Sequence, residues 1–465
     1  MSHVLVFLEE HSVLLRWSRH FHTPSFWQAA YWSQNKAAGE PKEPSDREEQ
    51  HTQHNTTSGL HSALVIFSLS SLVETEPNSV RVEMKRSASD NRHSSTDPHN
   101  SPESTDLRND HRVPRSPAGE SGDRHEDQGH LLYHVGLVIK ERYEVVSTLG
   151  EGAFAKVAEC IDRDTDTRVA VKIVRNIQSF QRAAKSEIAV LEEIDTLDDD
   201  NRFACVRMLD WFEHQGHVCL VFELLGRSTY EVLRQNRFLP FSVEQIRHMA
   251  FQIFQAVSFL HRNKLTHTDL KPENILFVCS DYDNERMKLD KRKTRSPDVK
   301  VVDFGSAVFD HQHHQTLVST RHYRAPEIIL ELGWNQSCDV WSLACVLMEY
   351  YLGHTLFPTH DSREHLAMME KILGPIPPHM LKQTRKRHYI LNERLDWDEC
   401  SSSGRYVRKH CRPLKSLPRR SEDERQLLDL LARMLELDVS RRITLEEALW
   451  HPFFQAARLE KQRPS

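Results

Sequence analysis

The sequence predicts an α+β domain that begins near Leu131, behind an N-terminal extension that is largely disordered. Two observations carry this. From Leu131 onward apolar residues recur at strand and helix periods almost to the end, broken by Gly and Pro at turns. Before that, the stretch from Thr75 to Asp127 is rich in Ser, Asp, Asn, His, Pro and Arg and poor in apolar side chains. Such a segment buries too little surface to offset the entropy of ordering. Residues 1–129 therefore read as an extension, and 143–454 as the folded domain. An aromatic head (Trp17, Phe21, Phe26, Trp27, Tyr31, Trp32) is read as a poorly packed part of that extension in preference to a partner-binding helix.

Composition narrows the function classes. The chain has 465 residues, with 61 Lys+Arg against 67 Asp+Glu and a formal charge of -6. That balance points to neither a direct nucleic-acid partner nor a membrane surface. The eight Cys all lie from Cys160 onward without a C-x-x-C pair, which argues against a zinc site or disulfide framework and for a reducing compartment. Leu60–Val73 is apolar but too short to cross a bilayer, and the first residues lack the early positive charge of a signal peptide. A soluble, intracellular protein is expected.

In chain order, Tyr143–Leu149 reads as a strand running into Gly150-Glu151-Gly152-Ala153-Phe154-Ala155-Lys156-Val157. A Gly-rich hairpin of this kind lets the backbone approach nucleotide phosphates and offer N–H groups to them; by itself it reads better as an ordinary β-turn. Val169-Ala170-Val171-Lys172 follows as a strand that carries one Lys inward. A buried ammonium needs anions, and phosphates and Glu187 of the helical stretch Phe180–Thr196 are the candidates. Val218–Leu225 is a further strand, ending at Gly226. It suits a connector between two lobes, with the backbone of Glu223 and Leu225 free to meet an adenine edge and Phe222 at the back of the pocket.

The chemistry centres on His267-Thr268-Asp269-Leu270-Lys271-Pro272-Glu273-Asn274. A phosphoryl-transfer loop needs an Asp to orient and deprotonate the attacking hydroxyl and an Asn to hold Mg²⁺, with a Lys to offset phosphate charge. Asp303-Phe304-Gly305 supplies a second metal ligand, and Asp303 with Asn274 is sufficient for an ion that also binds phosphate oxygens. Ala325-Pro326-Glu327, the apolar helix Asp339–Tyr351 and Arg442, a partner for Glu327, complete the series.

Over about residues 143–454 this series resembles a eukaryotic protein kinase. Lys271 within Asp-Leu-Lys-Pro-Glu-Asn resembles the serine/threonine pattern. Arg324 before Ala325 and the insert around His388–Leu417 resemble the cyclin-dependent and MAP kinase branch. Glu364-His365-Leu366-Ala367-Met368-Met369-Glu370-Lys371-Ile372-Leu373-Gly374 is one residue from the signature of the LAMMER, or CDC-like, dual-specificity kinases, with Lys371 where Arg is usual. The resemblance implies a two-lobed fold, with a small β-rich lobe over 143–225 and a larger helical lobe over 226–454. It implies ATP and Mg²⁺ as cofactors, arginine-serine-rich splicing factors as substrates, Tyr autophosphorylation, a monomer, and a nuclear address with the cytoplasm second. Carried over, Asp269 accepts the proton, Lys271 supports it, and Lys172, oriented by Glu187, binds the α- and β-phosphates. Leu149–Val157 covers the nucleotide, and Asn274 and Asp303 hold the metal.

Departures from the family pattern are visible. Ala155 replaces the third loop glycine, Ala344 stands where Gly is usual, and Asp281–Pro297 is long and carries Lys291-Arg292-Lys293, read as a solvated tip before an import signal. Arg-Ser dipeptides are few in the arm, chiefly Arg86-Ser87 and Arg115-Ser116. Thr268 stands where many kinases have the Arg that pairs with an activation-loop phosphate, so activity is expected without phosphorylation at Thr316, Ser319, Thr320 or Tyr323. The rival readings are a catalytically silent scaffold, against which Lys172, Asp269, Asn274 and Asp303 all stand, and a proline-directed kinase.

Overall fold

The computed structural model describes residues 129–278 and 298–461. The aromatic head, Leu60–Val73, the arm with Arg86-Ser87 and Arg115-Ser116, and the insert Asp281–Pro297 lie outside the described residues.

The front of the domain is one antiparallel sheet in the order β1-β2-β3-β4-β6-β5. Its strands are β1 (Val138–Ile139), β2 (Tyr143–Glu151), β3 (Ala155–Asp162), β4 (Thr167–Val174), β5 (Met208–His214) and β6 (His217–Glu223). Helix α1 (Gln178–Leu197) enters between β4 and β5. The sheet starts before Tyr143, because β1 pairs Ile139 with Tyr143; two residues are too few to show a period in sequence. β6 ends at Glu223, so Leu225 already belongs to the connector.

Strand β4 is buried on both faces, and its alternation divides them. Val169, Val171 and Ile173 join Tyr143, Cys160, Phe212 and Val221 in a small outer core. Ala170 and Val174 face the larger core, which runs through Ile188 and Leu191 of α1 into the helical lobe. Lys172 has the parity of Ala170 and Val174 and is 1% exposed, so the pleat carries its ammonium inward.

The helical lobe opens with α2 (Thr229–Gln235) and α3 (Val243–Arg262), each begun by a capping box, Ser228 with Glu231 and Ser242 with Gln245. Short strands β7 (Leu265–Thr266), β8 (Ile275–Phe277), β9 (Val299–Val301) and β10 (Val308–Phe309) follow, with β8 on β9 and β7 on β10. The remainder is α4 (Pro326–Ile329), α5 (Ser337–Leu352), α6 (Ser362–Leu373), α7 (Pro378–Gln383), the hairpin β11 (Ile390–Leu391) and β12 (Arg394–Leu395), α8 (Ser402–His410), α9 (Glu422–Met434), α10 (Leu445–Leu449) and α11 (Gln455–Lys461). Helix α5 is buried nearly all round and lies in the centre of the lobe, with Trp341, Leu343, Ala344 and Leu347 inaccessible. It stops at Gly353, whose φ of +75° and approach to the Phe238 carbonyl leave no room for a Cβ. Among the described residues no helix is long and apolar enough to cross a membrane, and every cysteine is free.

Candidate active site

The loop His267–Asn274 is held between β7 and β8 by a residue from α5. The carboxylate of Asp339, itself inaccessible, accepts the backbone N–H of His267 at 2.8 Å and of Thr268 at 2.9 Å. Its Oδ2 also faces His261 Nε2 at 2.9 Å. These bonds let Thr268 sit at φ +70°, an unfavourable conformation for a β-branched residue. Two side chains then tie the loop to the Asp303 turn. The His267 ring meets the Val302 carbonyl at 3.1 Å, and the Thr268 hydroxyl donates to the Ser306 carbonyl at 2.7 Å.

Asp269 is 2% exposed, and both of its carboxylate oxygens are engaged. Oδ2 accepts from Lys271 Nζ at 2.6 Å; Oδ1 accepts the N–H and hydroxyl of Thr320 at 3.0 and 2.6 Å. Asn274 donates its amide to the Asp269 carbonyl at 2.9 Å. Burial disfavours the Lys271 ammonium, but Asp269, Glu273 and Asp303 outweigh it and hold the group charged.

Lys172 stands on strand β4. Its Nζ donates to both Glu187 oxygens at 2.8 Å and lies 3.7 Å from Asp303 Oδ1. Burial again opposes the charge, and the two carboxylates hold the ammonium above its usual value. Asp303 takes φ +65°, and its Oδ1 and the Oδ1 of Asn274 are buried without hydrogen-bond partners. A desolvated amide oxygen left unbonded, beside a desolvated carboxylate oxygen met only by the Lys172 ammonium at 3.7 Å, is costly unless something else binds them. One carboxylate plus one amide suits a hard divalent ion whose other ligands are phosphates and water, so the residues fit such a metal.

The Gly-rich stretch forms the β2–β3 turn, with Gly150 opposite Val157 and Glu151 opposite Lys156. Leu149, Ala155 and Val157 are buried facing the larger core, whereas Glu151 and Ala153 are exposed at the tip. Ala155 accepts the Gly152 N–H at 2.9 Å, and Phe154 packs edge-on against Phe180 at the start of α1. In the connector, Phe222 is buried and the Glu223 side chain is turned to Lys300 Nζ at 2.6 Å and to the Arg207 N–H at 2.8 Å. Neither backbone group of Leu225 bonds to other backbone among the described residues.

Behind the loop, Arg442 forms a bidentate pair with Glu327 at 2.7 and 2.9 Å and lies over the Trp341 ring. Arg324 donates to the carbonyls of Val318 and Ser319, and Tyr323 donates to Glu349 at 2.8 Å. Sequence reasoning named most of these residues but missed the roles of Asp339 and Thr320. Asp339 left a faint trace, as a lone acid at the head of an apolar helix; Thr320 left only a hydroxyl in a segment rich in them.

Comparison with known proteins decides the family. The family described as Protein kinase domain matches residues 143–454. The chain is 62% identical over 334 residues to the dual specificity protein kinase CLK1 of Mus musculus, covering 71% of this chain and 69% of that one. The chain belongs to the CDC-like, or LAMMER, protein kinases. It is 53% identical over 335 residues to the serine/threonine-protein kinase Doa of Drosophila melanogaster, covering 70% of this chain and 40% of Doa. A crystal structure of the PF14_0431 kinase domain superposes with a TM-score of 0.65 at 37% identity, over 70% of this chain and 99% of that one. The kinase is accordingly an ATP-dependent, dual-specificity enzyme that uses a divalent metal and acts on proteins. The two-lobed α+β fold expected from the motifs is the fold of the described residues.

Proposed function

We propose that this kinase transfers the γ-phosphoryl group of Mg-ATP to Ser and Thr of arginine-serine-rich splicing factors, and to its own Tyr, and thereby regulates pre-mRNA splicing. In this reading it works as a monomer, chiefly in the nucleus and secondarily in the cytoplasm. The observation that carries the reading is the Asp269 carboxylate, buried between Lys271 and Thr320, with Lys271 also feeling the charge of Asp303, which lies 3.7 Å from the paired Lys172.

Asp269 orients the substrate hydroxyl and takes its proton as the oxygen attacks the γ-phosphorus, while the bond from that phosphorus to the β–γ bridging oxygen breaks and ADP leaves. Lys271 keeps that carboxylate in place and offsets charge on the transferring group. Lys172, steadied by Glu187, binds the α- and β-phosphates, and Leu149–Val157 closes over them. The backbone of Leu225 and the carbonyl of Glu223 meet the adenine edge; the Glu223 N–H is taken by the Arg207 carbonyl at 3.3 Å. Asn274 and Asp303 would hold Mg²⁺, which neutralises charge on the phosphate oxygens when bound.

The test is phosphate transfer from Mg-ATP to an Arg-Ser repeat peptide and a Ser-Pro peptide, with Asp269→Asn as control and sites read by mass spectrometry. Transfer to the repeat peptide with phosphotyrosine on the enzyme, both lost in the control, is the expected result. Transfer to Ser-Pro alone would move the substrate class to the proline-directed group.

A further inference from the structure

From Cys400 to Ser421 the chain contains seven Lys and Arg, one His and no Asp or Glu, although its formal charge is -6. The fold displays this charge to solvent. Helix α8 buries Gly404 and Val407, and Cys411 and Leu414 continue the buried stripe beyond its end. Arg405, Arg408, Lys409 and Arg412 are left exposed, with Lys415, Arg419 and Arg420 exposed just after them. None of the seven is ion-paired to a carboxylate among the described residues; Arg405 and Arg408 donate to the carbonyls of Cys400 and Glu399.

Folding alone does not ask for this arrangement. Cations in a last helical turn complement the helix dipole, which accounts for Arg408, Lys409 and His410. It does not account for Arg405 near the other end, or for the four cations beyond the helix. Like charges one turn apart repel, and among the described residues no ion pair with a carboxylate relieves them.

The face also adjoins the substrate side of the site. Tyr406 of α8 packs its ring on His360 at 5.3 Å and donates to the Pro358 carbonyl at 3.3 Å. The His360 carbonyl accepts from Arg321, which directly follows the Thr320 that rests on Asp269. A substrate chain leaving the acceptor position therefore has this basic surface close by.

We infer that the face formed by Arg405, Arg408, Lys409 and Arg412 docks stretches of protein substrate that are already phosphorylated. The inference rests on the kinase reading given above and adds to it a preference for multiply modified chains. A phosphoserine carries about -1.5 to -2 charges near neutral pH and three acceptor oxygens, which guanidinium groups match in geometry and sign. An unmodified Arg-Ser repeat is cationic and is repelled by the same face, so each transfer strengthens the enzyme's hold on its product. RNA suits the surface less well. Single-strand binders interleave cations with aromatic platforms, and the only aromatic here, Tyr406, is packed between His360 and His410.

The test measures binding to the full chain, without ATP, of a labelled Arg-Ser repeat peptide, the same peptide carrying several phosphoserines, and a short single-stranded RNA. The phosphopeptide is expected to bind about tenfold tighter than the unmodified peptide. The quadruple variant R405Q/R408Q/K409Q/R412Q should lose that difference, and Arg→Lys at the same positions should keep most of it. With ATP, the quadruple variant should modify a single-serine peptide at the normal rate and slow only at later sites of a repeat peptide. Equal phosphopeptide binding by the parent and the quadruple variant overturns the inference, and so does tighter binding of RNA than of phosphopeptide. Failure to phosphorylate any Arg-Ser peptide would instead count against the substrate reading, because the binding comparison uses synthetic phosphopeptide and needs no turnover.

Discussion

Thr320 places its N–H and its hydroxyl on one oxygen of Asp269, at 3.0 and 2.6 Å, while Lys271 holds the other at 2.6 Å. On the proposed mechanism, the segment that receives substrate thus helps to aim the group that deprotonates it. Thr320→Val keeps the N–H and loses the hydroxyl, so kcat should fall about tenfold with the KM for ATP unchanged. Thr320→Ser should stay near the parent rate. Steady-state kinetics on one peptide checks both.

Thr268 offers no charge to an activation-segment phosphate; its hydroxyl is committed to the Ser306 carbonyl at 2.7 Å. Among the expected modification positions, Ser319 and Tyr323 are buried and Thr320 lies on Asp269. Complete dephosphorylation, verified by mass spectrometry, should leave most of the activity in place. Loss of most activity would show that the segment needs its phosphates.

Lys172 and Glu187 are both buried, at 2% and 1% side-chain exposure. Removing either partner leaves a desolvated charge, so Lys172→Met or Glu187→Gln should each cost about 3 kcal/mol of stability. The double variant Lys172→Met/Glu187→Gln should cost less than the sum. Urea denaturation of the four proteins measures the coupling, and simple additivity would show that the pair contributes no interaction energy.

The Glu327–Arg442 pair depends on shape as well as charge. Arg442 spans both Glu327 oxygens, the Ser337 and Glu436 carbonyls and the face of Trp341. Lysine cannot reproduce that fork, so Arg442→Lys should destabilise by about 2 kcal/mol, even with the charge kept. A thermal melt of the variant near the parent value would contradict this.

His365 lies inside the helical lobe, 1% exposed, with neither ring nitrogen hydrogen-bonded. Burial, and then the charges of His322, Arg324 and Arg321, push its imidazole well below the ordinary value. Burial likewise pushes His322 down to about 4. The unfolded chain takes up these protons near pH ~6.5 and the native state resists them, so stability falls as pH drops from there toward 4. His365→Leu should melt at or above the parent temperature at neutral pH and lose less stability on acidification. Melting curves across that range read the difference.

Much of the site was legible in the sequence because its chemistry sits in short contiguous runs. Gly150–Val157, His267–Asn274 and Asp303–Gly305 each fold as one turn or loop, so residue type and spacing suffice to propose ligands and a base. The Lys172–Glu187 partnership was also readable, since an apolar strand carrying one Lys calls for a nearby acid. Asp339, Thr320 and the little strand β1 were not. Asp339 looks like the start of an apolar helix until the chain brings His267 and Thr268 to it from 72 and 71 positions away.

The sequence by itself determined the family, the two-lobed α+β fold and the identity of the chemical groups, because local periodicity and contiguous motifs are set by near neighbours along the chain. Tertiary structure alone decided that Thr320 bonds to Asp269, that Asp339 suspends the His267–Asn274 loop, and that Arg405, Arg408, Lys409 and Arg412 are exposed without a carboxylate partner among the described residues. The physical reason is that hydrogen-bond and ion-pair partners are chosen by proximity in space, which local patterning does not encode.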